Sequence, residues 1–284
     1  MRGSRVISSG VRAAGMSILL AALVVACVQG GAVTPNPSDV ASASAVAVTS
    51  PPPLADASGA FSAREAIAAA EAFLGRKLVG PTVTDPADDP SGLYYSVAED
   101  ATGVMVSVDP ASGRVVSMLV ITDPVSGVRI TQAQAEQTAE AFLAVHHVPC
   151  DGMTKTVEFM DHNAMQEYIV TWQRYVNGAA VPDSRVVRVD AHTGNVFAFN
   201  DFRQPYAPVA SPALTEDDAI ALAVKTSGLT DPKIESVSLK VAPAGDWAGR
   251  LVWSVGLSAQ MPELGYYAIY VDAITGETLV YAQG

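Results

Sequence analysis

The sequence predicts an α+β fold of three tandem modules, each one helix packed on a small antiparallel β-sheet ending in a hairpin. Three observations predict it. One motif recurs at intervals of about 80 residues, as Val108-Asp109-Pro110-Ala111-Ser112-Gly113, Val189-Asp190-Ala191-His192-Thr193-Gly194 and Val271-Asp272-Ala273-Ile274-Thr275-Gly276. Alternating apolar residues flank every copy, and a helix with the same opening lies upstream of each.

The motif reads as a hairpin turn. Val104, Val106 and Val108 precede the first copy, Val187 and Val189 the second, and Tyr267, Ile269 and Val271 the third. Val116 and Met118, Phe197 and Phe199, and Leu279 and Tyr281 follow them, which is period-2 patterning on one sheet face. Asp109, Asp190 and Asp272 can accept hydrogen bonds from backbone N–H groups two or three residues on, starting the turn. Gly113, Gly194 and Gly276 supply the positive φ that closes it. Turn chemistry accounts for each aspartate, so these six residues are assigned a structural role.

The helix openings place an apolar residue before a Ser/Thr N-cap: Phe61-Ser62, Ile130-Thr131 and Leu214-Thr215. Glu65, Gln134 and Asp218 stand at the third helical position, completing capping boxes. Ala-rich helices are expected over 66–74, 135–144 and 219–226, with Gly75 and Gly228 as stops. Further strands are expected at 93–97, 156–160, 167–175, 234–241 and 251–257, and residues 85–92 read as an exposed loop. The modules are therefore placed at 61–123, 128–203 and 212–284, with the first the most diverged. A lone helix covering one face of a small antiparallel sheet satisfies that order.

Residues 1–26 read as a targeting segment. Arg2, Arg5 and Arg12 precede an apolar run over 13–26, which is shorter than the roughly 20 residues of a membrane span. The run ends in Val24-Val25-Ala26-Cys27, which resembles the bacterial lipobox and makes Cys27 the expected lipidation site; an ordinary secretory signal is the alternative. Both readings place the protein outside the cytoplasm. Residues 27–60, rich in Ala, Ser, Pro and Val, are expected to form a disordered tether.

The formal net charge is −12, and removal of the leader takes three arginines and no acid. Nucleic acid and anionic lipid are poor partners for such a chain, and the lipid is its expected membrane contact. Beyond Cys27 the sole cysteine is Cys150, so no internal disulfide is expected; buried filler is preferred over a reactive thiol.

No catalytic motif is present, and no cofactor or metal site is expected. The four histidines, His146, His147, His162 and His192, show no helix-ligand spacing. Asp85, Asp88 and Asp89 lie between Pro86 and Pro90 in a loop read as solvated, and the Glu136/Glu140 pair reads as a solvated helix face. Trp172, Arg174 and Tyr175 are the candidate protein-binding residues, because they are hot-spot types on a strand that leads into a Gly-containing loop. Alternation puts Trp172 and Arg174 on one face and Tyr175 on the other. The competing reading makes Tyr175 a core residue and Trp172 a cover for the sheet.

These residues resemble the PepSY family, named for peptidase propeptides and a spore-associated membrane protein. The resemblance is clearest in the third module, at Leu214-Thr215-Glu216-Asp217-Asp218-Ala219-Ile220 and at 266–279. Residues 172–182 and 186–196 also resemble propeptides of thermolysin-like metallopeptidases. The resemblance implies a non-catalytic module that binds, inhibits or helps fold a peptidase outside the cytoplasm. With no peptidase domain after Gly284, action in trans is expected. The partner is then a peptidase or another envelope protein, the alternative being a scaffold or sensor that binds a wall component or membrane protein.

Overall fold

A computed structural model describes residues 61–88, 92–121, 125, 127–162, 165–243, 247–259 and 266–283. The leader, the tether and Cys27 lie outside the described residues. The chain folds as three α+β blocks in tandem. The first holds α1 (Ala63–Leu74), β1 (Thr82–Thr84), β2 (Tyr95–Glu99), β3 (Val104–Val108) and β4 (Val115–Val120). The second holds α2 (Gln132–Val145), β5 (Thr154–His162), β6 (Met165–Val176), β7 (Ala179–Asp190) and β8 (Val196–Arg203). The third holds α3 (Glu216–Ser227), β9 (Lys233–Val241), β10 (Leu251–Ser258), β11 (Tyr266–Asp272) and β12 (Thr278–Gln283).

Each helix starts at a reciprocal capping box, Ser62 with Glu65, Thr131 with Gln134, and Thr215 with Asp218. Gly75 and Gly228 end α1 and α3 in the left-handed region, at φ 66° and 68°. Each helix buries an alanine pair one turn apart: Ala66 and Ala70, Ala135 and Ala139, Ala219 and Ala223. Side chains this small let the helix lie close against the valine-rich sheet face beneath it.

The first block differs from expectation in having a short strand, Thr82–Thr84, before the loop; it pairs antiparallel with β2. Its three residues are too few to show a period. The sheets also do not stay separate. The last strands of the first two blocks, β4 and β8, pair antiparallel through Ser117↔Asn200, Met118↔Phe199 and Leu119↔Ala198. Helices α1 and α2 meet over that seam, where Phe73, Phe142 and the fully buried Phe199 form an aromatic knot with centroids 5.4–5.8 Å apart. One hydrophobic core therefore runs through both blocks. The third block has its own core around Ala219, Ala223, Val255, Leu257, Ile269 and Val271. It joins the sheet through a parallel pairing of β7 with β9 at Ala180↔Lys240 and a small cluster of Ala179, Leu251 and Ala273.

Candidate functional site

The recurring turn is the point at which each helix is fastened to its sheet. The aspartate N–H donates to the carbonyl of the residue after the glycine, Arg114, Asn195 or Glu277, at 2.8–3.0 Å. The glycine N–H returns to the aspartate carbonyl at 2.8–3.0 Å. Asp109 accepts from Ala111 N–H and the Ser112 hydroxyl, Asp190 from the N–H groups of His192 and Thr193, and Asp272 from those of Ile274 and Thr275. Burial pushes the Asp272 carboxyl up, but those N–H donors and Arg250 outweigh it and hold it below its ordinary range.

The apolar residue before each N-cap packs on the turn glycine. An added Cβ would meet Phe61 at 3.0 Å from Gly113, Ile130 at 3.4 Å from Gly194 and Leu214 at 3.5 Å from Gly276. The carbonyl of that same apolar residue accepts a bond from an aromatic side chain of the sheet. Tyr95 Oη reaches Phe61 O at 2.6 Å, Tyr168 Oη reaches Ile130 O at 3.3 Å, and Trp253 Nε1 reaches Leu214 O at 3.1 Å. Sequence reasoning missed this third element of the repeat, because two tyrosines and a tryptophan do not align as one residue type.

Trp172, Arg174 and Tyr175 do not form one surface. Trp172 is buried in the core shared by the first two blocks, whereas Tyr175 is 48 % exposed and so not the core residue of the competing sequence reading. Register breaks between Gln173 and Tyr175, where β7 carries a bulge at Pro182, a residue with no N–H to donate. The Gln173 amide fills the bulge by donating to Val181 O at 2.6 Å. Arg174 is held by Asp183 Oδ2 at 2.5 Å and by Asp151 O at 3.2 Å. Burial raises the Asp183 carboxyl, and bonds from Arg185 and Arg174 bring it below its usual value.

The other candidates have structural partners. Lys155 Nζ bridges Glu136 and Glu140 at 2.7 Å each. Burial pushes the half-buried Cys150 thiol up, which disfavours the reactive thiolate. Among the described residues no group of three or more His, Cys, Asp or Glu side chains is placed to hold a metal ion, and no helix is long and apolar enough to cross a membrane.

The sheet leaves outer edges on β5, β12 and the short β1. Strand β5 carries Lys155, Glu158 and Asp161, charges that discourage a further strand from adding. Strand β12, Thr278-Leu279-Val280-Tyr281-Ala282-Gln283, carries none, and its Leu279 and Val280 are 37 % and 43 % exposed. No described strand pairs with its outer side. It is the one long edge of the described sheet without a charged guard, and so the surface best suited to accept an extended peptide.

Residues 85–201 match the family described as "YcdB, YcdC repeated domain". Residues 213–279 match the family described as "Peptidase propeptide and YPEB domain", so a PepSY module is present in the third block. No curated protein matches the chain. Among solved structures, the YpeB C-terminal domain of Bacillus megaterium is 16 % identical with a TM-score of 0.43, covering 78 % of this chain and 98 % of that one. A Clostridium difficile protein described as a candidate lipoprotein is 12 % identical with a TM-score of 0.23, covering 58 % of this chain and 96 % of its own.

Proposed function

We propose that this chain is a non-catalytic, extracytoplasmic lipoprotein whose PepSY module binds a secreted or envelope peptidase in trans and restrains it. The observation that carries the reading is the coincidence, in one block, of a match to a peptidase-propeptide family with the unguarded edge strand β12. A peptidase cleft accepts its ligand as an extended chain, and a free β edge offers one with its main-chain donors and acceptors in place. The leader and Val24-Val25-Ala26-Cys27 support export and lipid anchoring. The first two blocks then act as a body that holds the module away from the membrane, beyond the tether at 27–60.

The test titrates purified protein carrying Cys27→Ser into secreted and envelope peptidase fractions while following casein cleavage. Saturable inhibition is expected, and Val280→Lys, which adds a charged guard to the edge, should weaken it about tenfold or more. Inhibition that V280K leaves unchanged would remove β12 from the mechanism. Absence of inhibition would favour a scaffold or sensor. Cys27→Ala should shift the protein from the membrane fraction to the medium.

A further inference from the structure

A cleft of about 450 Å³ opens between α1 and α2 at the β4/β8 seam. Its floor holds Asp201, its sides Arg114 and Arg203, and its walls Phe73, His146 and His147. Asp201 is almost wholly buried and already has Arg185, itself buried, with Nε 2.8 Å from Oδ1, although that N–H does not point at the oxygen. Arg203 grips Asp201 with both Nε and Nη2 at 2.9 Å, and Arg114 Nη1 donates to Oδ2 as well. Arg185 also pairs with Asp183, which pairs in turn with Arg174.

The connected cluster contains four arginines and two aspartates. One arginine neutralises one buried carboxylate, so two positive charges remain in a chain whose formal net charge is −12. The arginines that face the cleft are the partly open ones, with side chains 31 % and 34 % exposed. Arg114 uses only Nη1 on Asp201, which leaves its other guanidinium nitrogens for a ligand. The C-termini of α1 and α2 both border the cleft and oppose an anion, but by about half a charge each at most. Three of the carbonyls in the last turn of α2 are occupied, since Phe142 O, Leu143 O and Ala144 O accept from His146, Val148 and His147 N–H. The arginine excess prevails. Beside it, His146 stacks on Phe73 at 3.9 Å and makes a flat apolar wall.

The geometry points to this cleft as a binding site for the carboxylate group of a peptide, held by Arg114 and Arg203, with the adjoining side chain against Phe73 and His146. Paired guanidinium donors match the two oxygens of a carboxylate, and the wall favours an apolar or aromatic neighbour. The site does not depend on the peptidase reading, because it lies in the first two blocks and away from β12.

The test uses the chain carrying Cys27→Ser, labelled for NMR of the arginine Nε–H and histidine ring signals. The probes are N-acetyl-Ala-Phe with a free C-terminus, its C-terminal amide, and a doubly capped peptide with one internal Glu. Saturable shifts of Arg114, Arg203 and His146 are expected with the free acid, and at least about tenfold weaker binding with the amide. Tighter binding of the internal Glu peptide would assign the carboxylate to a side chain, and tighter binding of the free acid to a chain terminus. Arg114→Gln and Arg203→Gln should each weaken binding about tenfold. Ala72→Glu, on an exposed helix position lining the cleft, places a carboxylate inside it and should abolish binding while the protein stays folded, with at most the small fall in melting temperature that an acid in a helix's last turn brings. Equal binding of acid and amide, no saturation up to about 10 mM, or wild-type affinity in A72E would each overturn the proposal.

Discussion

The first two blocks and the third are built from one plan, yet they solve the problem of a small core differently. About 80 residues is near the size at which a lone core becomes marginal. The first two blocks escape the limit by joining β4 to β8 and closing α1 and α2 over the seam, so that one core serves both. The third keeps a smaller core and touches its neighbour mainly near Ala180↔Lys240 and the Ala179–Leu251–Ala273 cluster. A fused pair gains stability by giving up the edges of β4 and β8, and keeps only the short β1 and the charged β5 open; the block at the end of the sheet keeps an uncharged outer strand available. The PepSY match falls on the block with the long edge that carries no charge.

The strongest way to break this contrast is at the seam. Phe199→Ala removes a fully buried ring that touches both helices, and should cost about 3–5 kcal/mol. Chemical denaturation should show that loss in the first two blocks while Trp253 in the third reports an unchanged transition. A smaller effect separates the three turns. Valine at Gly113, Gly194 or Gly276 forces a β-branched residue to positive φ, at about 1–3 kcal/mol each. Gly113→Val should be the worst, because its Cβ also meets Phe61 at 3.0 Å.

Smaller again is loss of the aromatic tie. Tyr95→Phe and Tyr168→Phe each remove a bond to the carbonyl before the N-cap and little else, and about 0.5–1.5 kcal/mol is expected from thermal melts of each. Tyr95, with the shortest bond, should lie at the upper end. The last effect has its signature in acid. Bonds from Arg76, Thr102 and Val79 N–H hold Glu99 at about 2 against an ordinary 4.5. Its contribution is complete above the ordinary value and fades as pH falls from there toward 2. Glu99→Gln should therefore flatten the fall in melting temperature over that range while lowering stability at neutral pH.

The sequence made much of this legible. Capping boxes and turn glycines are local, so Ser62, Thr131, Thr215, Gly113, Gly194 and Gly276 could be placed from neighbours three or four positions away. What it hid was long-range. Nothing local in Val115–Val120 or Val196–Arg203 says that the two strands pair: both carry consecutive buried residues, Val115 and Val116 and Phe197 to Phe199, which mark a strand covered on both faces but name no partner. Asp201 and Arg203 are neighbours on one face of β8, but Arg114 reaches them only through that pairing, which is why no motif announced the cleft. Trp172 has the composition of a hot spot and the position of a core residue, and only the helix above it decides between them.

Native-state hydrogen exchange across a gradient of mild denaturant tests the division most directly. The account predicts two opening free energies: a higher one shared by α1, α2 and β2 to β8, and a lower one for α3 and β9 to β12. Exchange of all the core amides at a single free energy would contradict it and make the three blocks one cooperative unit.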